Sequence, residues 1–170
     1  NMRKIKLLAF SLAIRYSLFA TIILCALCID LNAQEYTAPK REFRGAWLST
    51  VWAIDWPGNR DNTVAAEKSQ KAQMIEILDR YKAANMNVCF FQVRGVSDAF
   101  YNSEYEPWSK YLCGERGKAP NYDPFQFVID ECHKRGIECH AWINPYRYST
   151  SADTYGTLPT DFSNTHPEWL

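Results

Sequence analysis

Over residues 137–144 apolar and polar side chains alternate. Ile137, Cys139, Ala141 and Ile143 fall on one face, and Glu138, His140, Trp142 and Asn144 on the other. That is the two-residue period of a β-strand. Lys134-Arg135-Gly136 ends a helix just before it, and Asn144-Pro145 ends the strand just after it. The same parity recurs over 87–94, with Val88, Phe90, Gln92 and Arg94 opposed to Cys89, Phe91 and Val93. A first strand is expected over 43–50. Between the strands the period changes to that of a helix. Met74, Ile75, Leu78 and Tyr81 form a stripe within a helix expected over 64–84, with Asn85 as its left-handed cap. A second helix is expected to begin at Asp123-Pro124, an N-cap followed by proline at the first helical position. It runs to Arg135 and turns Phe127, Val128 and Cys132 toward the sheet.

The order βαβαβ predicts an α/β fold with a parallel sheet, the first part of a (β/α)8 TIM barrel broken off after about three βα units. In such a barrel one strand face packs on the outer helices and the other points to the axis, with functional groups at the carboxyl ends. Gln92, Arg94 and Asn144 are then expected to converge on one cleft, with Arg147 at its rim. Cys89 and Cys139 fall on the helix side. Two long connections follow the first two strands. Residues 51–62 carry Trp52, Asp55 and Trp56, and residues 95–121 carry Asp98, Tyr101, Tyr105, Trp108 and Tyr111. Loops of that length are functional or disordered, and so aromatic a loop is not expected to be disordered.

Amides and guanidinium groups make paired hydrogen bonds to hydroxyl, acetamido or carboxylate groups, so Gln92, Arg94, Asn144 and Arg147 are candidate ligand-binding residues. An internal ion pair is the alternative for Arg94. Trp108 is expected to stack on a ligand because it stands in a loop, whereas Trp47 and Trp142 are expected to pack. His140, deeper along its strand, reads as a hydrogen-bonded core histidine. Asp98 and Asp55 are the carboxyls of the two loops. A loop cap or hydrogen-bond anchor is the favoured reading of Asp98, which is also a candidate ligand-binding residue and the candidate acid within this chain.

Residues 1–33 have the parts of a secretory leader. Arg3, Lys4 and Lys6 precede an apolar run interrupted by Arg15, and Leu31-Asn32-Ala33 precedes Gln34. The remaining run is short for a membrane span. An acylated Cys25 or Cys28 is disfavoured by the leucines before them. Residues 34–41 read as a linker and 42–170 as the barrel portion. The whole chain carries 19 cations and 19 anions. Losing four cations and one anion with the leader leaves 15 against 18, a net charge of −3. Such a surface does not hold a polyanion by counter-ion release, which excludes nucleic acid as an expected partner. Four cysteines remain, Cys89, Cys113, Cys132 and Cys139. Their spacing is not that of a metal site, they are expected as buried free thiols, and no cofactor-binding loop is present.

Five motifs in order carry a resemblance: Arg44-Gly45-Ala46-Trp47, Phe91-Gln92-Val93-Arg94, Glu106-Pro107-Trp108-Ser109, Tyr122-Asp123-Pro124, and His140 through Arg147. Together they resemble the family 10 glycosyl-hydrolase-like proteins. The resemblance implies a (β/α)8 barrel in an exported bacterial protein, and cleavage of glycosidic bonds. Peptidoglycan glycan strands stripped of their peptides are one implied substrate. It also implies a later strand with a paired-aspartate motif beyond Leu170, so the main catalytic acids are expected outside this chain. The alternatives are a non-catalytic carbohydrate-binding barrel, and a chain with no activity of its own. Gly95-Val96-Ser97 departs from the family, many members of which have proline and an acidic residue there.

Overall fold

The computed structural model describes residues 42–149 and 155–169, together with Met2 and residues 15–17. The leader and linker expected over 1–41 otherwise lie outside the described residues. Among the described residues no helix is long and apolar enough to cross a membrane. The elements in order are β1 (Gly45–Leu48), α1 (Val64–Ala83), β2 (Val88–Arg94), α2 (Lys110–Cys113), α3 (Pro124–Lys134), β3 (Glu138–Ile143) and α4 (Phe162–Thr165). Short 3-10 turns stand at Val51–Ala53 and Pro167–Trp169. The strands form one parallel sheet in the order β1-β2-β3, with Leu48 opposite Phe91 and Cys89 opposite Cys139. This open α/β sheet is compatible with part of a TIM-barrel-like unit.

The local signals act where the sequence puts them. Thr63 caps α1 by accepting from the Ala66 N–H at 3.1 Å, and Asp123 caps α3 by accepting from the Gln126 N–H at 2.9 Å. Asn85 ends α1 with φ 58°, a conformation that asparagine tolerates better than most residues. The first strand is shorter than expected, and the long second loop contains α2 and an isolated parallel bridge between Ala99 and Trp108.

The core lies between the sheet and α1 and α3. Leu48, Cys89, Phe91 and Val93 meet Met74 and Leu78 of α1 and Val128 and Cys132 of α3, all buried. Cys89, Cys113, Cys132 and Cys139 are free thiols. Hydrogen bonding to Cys132, then burial, pushes the Cys139 thiol upward. The Cys132 thiol is drawn down by Cys139, yet its bond to Cys89 and its burial carry it up to about 12. Both stay protonated and weakly nucleophilic. Gln70 is the polar member of the buried α1 stripe. Its Nε2 donates to the carbonyls of Asn59 and Leu112 at 2.7 and 2.8 Å, and its Oε1 accepts from Tyr122 Oη at 2.8 Å. Its own carbonyl accepts from the Trp56 indole at 2.9 Å. One side chain and its backbone thereby tie both long loops to α1.

The opposite sheet face carries a plate of rings. Trp47 stacks on Phe90 at 4.4 Å and meets Trp142 edge-on at 4.9 Å, while Phe90 meets His140 at 5.4 Å. The expectation of a core histidine is corrected here. The His140 side chain is 45% exposed and its Nε2 lies 3.2 Å from Glu138 Oε2. Trp47, expected to pack, is 59% exposed although it contacts its neighbours. The physical reason is the same for both. Among the described residues this face has only its own rings for company, with no second layer above it. Ile143, on the other face of β3, is also exposed.

Phe91→Ala removes a fully buried ring that touches Trp56, Phe100 and Phe125. It is expected to cost about 3 to 5 kcal/mol, read by urea denaturation of the full-length protein. A cost below about 1 kcal/mol would show that this sheet-to-helix core does not hold the fold.

Candidate functional site

The carboxyl ends of β1, β2 and β3 lie side by side, and the polar residues there first serve one another. Gln92 is 1% exposed. Its Oε1 accepts from the backbone N–H groups of Thr50 and Val51, both at 2.9 Å, and from Ser49 Oγ at 3.1 Å. Thr50 Oγ1 returns a bond to the Gln92 carbonyl at 2.8 Å. The turn so clamped leads into Trp52 and Ala53, at φ 55° and 53°. Two successive non-glycine residues in the left-handed region cost on the order of 1 to 3 kcal/mol each, so the turn needs such an anchor.

Arg94 takes the internal role that was its alternative reading. Its Nε donates to Glu106 Oε1 at 2.6 Å, the two side chains are 12% and 7% exposed, and Nη1 bonds the Asn144 carbonyl. The Asn144 Nδ2 donates to the Gly95 carbonyl at 3.0 Å, and its Oδ1 accepts from the Trp142 indole at 2.9 Å. Strand parity thus does bring Gln92, Arg94 and Asn144 to one place, yet there they chiefly lock strand ends together. Trp108, expected to stack from a loop, is half-buried against the core. The Ala99–Trp108 bridge draws it inward: Ala99 N–H donates to the Pro107 carbonyl and Ser109 N–H to the Ala99 carbonyl, both at 2.9 Å.

The two carboxyls do not face each other across a cleft. Asp55 is exposed, accepts from the Ser49 N–H at 2.7 Å, and opens onto a depression shared with Gln73, Glu76, Arg80 and Tyr81 of α1. Asp98 is 1% exposed, and its Oδ2 has no hydrogen-bond partner. Burial pushes its pKa from 3.8 up to about 6, against the Ser109 hydrogen bond and the Arg116 charge, which draw it down.

A cleft of about 330 Å³ opens beside these strand ends, lined by Arg94, Ser97, Pro145, Tyr146, Arg147, Tyr148, Phe162 and Trp169. Arg147 stands exposed there. Trp169 is exposed, stacked on His166 at 3.8 Å and 5.8 Å from Phe162. Flat rings and guanidinium donors on one surface suit a ligand with apolar faces and polar edges, the character of a sugar ring. Among the described residues no group of histidines, cysteines and carboxylates could hold a metal. Sequence reasoning missed Ser97, Tyr148, Phe162 and Trp169, and it missed Glu106 as the partner of Arg94. Tyr148 stands one residue beyond the motif that ends at Arg147. Phe162 carried no signal.

The fold is a parallel α/β sheet with an aromatic and cationic cleft at its strand ends, and sequence comparison gives the family. Residues 42–170 match the model for Glycosyl hydrolase-like 10, and the chain belongs to that family. It is 43% identical over 131 residues to glycosyl hydrolase YngK of Bacillus subtilis, covering 76% of this chain and 25% of that protein. It is 37% identical over 140 residues to glycosyl hydrolase DigH of Escherichia coli K12, covering 75% of this chain and 32% of that protein. The chain therefore spans a quarter to a third of the length of these relatives.

Two outcomes test the site. Gln92→Leu keeps the volume but strips the acceptor from two buried N–H groups, and is expected to cost about 2 to 5 kcal/mol in denaturant unfolding. Asp98→Asn mimics the protonated carboxyl. The folded pKa is raised, so the folded chain holds a proton that the unfolded chain releases. The stability from that proton is full below about 3.8 and is lost as pH rises through about 6. The variant should therefore gain on the wild type by roughly 2 to 3 kcal/mol at pH 7.5 and lose that advantage near pH 4. Melts at the two pH values check it, and a gain independent of pH would assign Asp98 no proton.

Proposed function

We propose that the whole protein is an exported glycoside hydrolase acting on a polysaccharide, with peptidoglycan glycan strands stripped of their peptides as the substrate to test first. The cleft of Tyr146, Tyr148, Phe162 and Trp169 around Arg147 is the observation that carries this reading. Rings cover the apolar faces of successive sugars, and the guanidinium binds hydroxyl, acetamido or carboxylate oxygens at their edges. Family membership supports the reaction class. Hydrolysis needs two carboxyl groups, about 5 to 5.5 Å apart for retention or about 6.5 to 9.5 Å for inversion. Among the described residues Asp98 has a raised pKa, about 6, that suits a proton donor in mildly acidic medium, but it is buried and does not line the cleft. On this reading the main acid pair comes from parts of the protein outside this chain, and the chain alone is inactive.

The second reading is a carbohydrate-binding protein without catalysis. It is favoured by one observation: none of the described residues lining the cleft is a carboxylate. Release of new reducing ends from the glycan strands by the full-length protein separates the two. Binding with no release selects the second reading, and neither binding nor release rejects both. Arg147→Ala should weaken binding or kcat/KM by roughly 10-fold to 100-fold, equivalent to about 1.5 to 3 kcal/mol, with the melting temperature nearly unchanged. An unaltered affinity would remove Arg147 from the site.

A further inference from the structure

The walls of the cleft come from three stretches of chain, and one buried side chain outside its lining joins them. Arg116, in the connection between β2 and α3, is 4% exposed at its side chain and paired with Asp161, whose side chain is fully buried. Its Nη2 donates to the Ser97 carbonyl at 2.7 Å, and its guanidinium lies 4.6 Å from the centre of the Tyr155 ring. The other oxygen of Asp161 accepts from the N–H groups of Gly156 and Leu158, both at 2.9 Å. Asp161 also begins α4, which carries Phe162 into the cleft. The circuit closes on the far side. Tyr148 Oη donates to Ser163 Oγ at 2.6 Å, and both the N–H and the hydroxyl of Ser97 donate to the Tyr148 carbonyl, at 3.1 and 2.7 Å.

Arg116, Asp161, α4, Tyr148 and Ser97 thus form a closed ring of contacts around one edge of the cleft. Only a planar guanidinium can serve a carboxylate, a carbonyl and an aromatic face together, because its donors fan out in one plane and its own face stacks. A lysine ammonium offers the charge without the fork. We propose that Arg116 is a positioning residue of the glycan cleft, setting the separation between the Tyr148 wall and the wall of Phe162 and Trp169. This rests on the reading of the cleft as a glycan site.

The test uses the full-length protein, with peptidoglycan glycan strands stripped of their peptides as probe. Arg116→Met alone strands a buried carboxylate and can unfold the chain. The main variant is therefore Arg116→Met with Asp161→Asn, which removes both charges and keeps an acceptor for the Gly156 and Leu158 amides. Hydrogen exchange over 145–148 and 155–165 should speed up about 10-fold or more while β2 and α1 stay within about twofold. KM should rise about 10-fold or more with kcat within about threefold, and Arg116→Lys with Asp161 intact should fall between the double variant and the wild type. A structural role alone would speed exchange throughout the fold, so equal loss of protection in β2 and α1 overturns the proposal. So does unchanged exchange at 145–148 and 155–165, even if the strands are cleaved. A wild-type protein that neither binds nor cleaves the strands overturns instead the glycan reading beneath it.

Discussion

β2 ends in two polar side chains that burial obliges to find partners inside the fold. An amide or guanidinium withdrawn from water without hydrogen bonds costs several kcal/mol, roughly a third or more of the stability of a small domain. Gln92 meets that constraint toward β1 and Arg94 toward β3. The central strand therefore fixes the ends of both neighbours by polar contacts, over and above the ladder that pairs them. The register shift between Gln92 and Arg94 falls at the point where the strand turns from one neighbour to the other. The left-handed turn at Trp52 and Ala53, the placement of Asn144 and the start of the second long loop all hang on these contacts.

Above the strand ends the same constraint organises charge. Arg94 pairs with Glu106 and Arg116 with Asp161, and Asp98 lies close enough to feel both guanidinium groups. Two cations and three carboxyls share a desolvated region. One carboxyl is in excess, and it is the one that holds its proton into the mildly acidic range. A proton is the least costly way to neutralise a buried group that has no counter-ion of its own.

The two faces of the sheet differ for a related reason. The helix side is packed by α1 and α3 and is mainly apolar, with Gln70 buried in it and Ile143 exposed at the end of β3. The other side is aromatic but open, so that Trp47 and His140 reach solvent although their parity is that of interior positions. In a closed barrel these rings would meet the side chains of further strands. Among the described residues β1 and β3 are the edges of the sheet.

By itself the sequence determined the three strands, α1, α3 and the strand parity, but not α2 or α4. The alternation of Cys89, Phe91 and Val93 with Phe90, Gln92 and Arg94 told which side faces helices, and Asn85 and Asp123 marked helix ends. These are local signals, encoded within one or two turns of chain. Tertiary structure alone decided what the polar side chains hold. Gln92 meets Thr50 and Val51 from 42 and 41 residues away, Asn144 meets Gly95 from 49, and Arg116 meets Asp161 from 45. No periodicity carries such pairings. Trp108 illustrates the limit from the other direction, since a loop position suggested an open ring and a bridge to Ala99 drew it inward. Composition and spacing can say that an amide, a guanidinium and an aromatic ring stand near the carboxyl end of a sheet. Whether each turns to a ligand or to its neighbours depends on which partner lies within about 3 Å, and only the folded chain sets that distance.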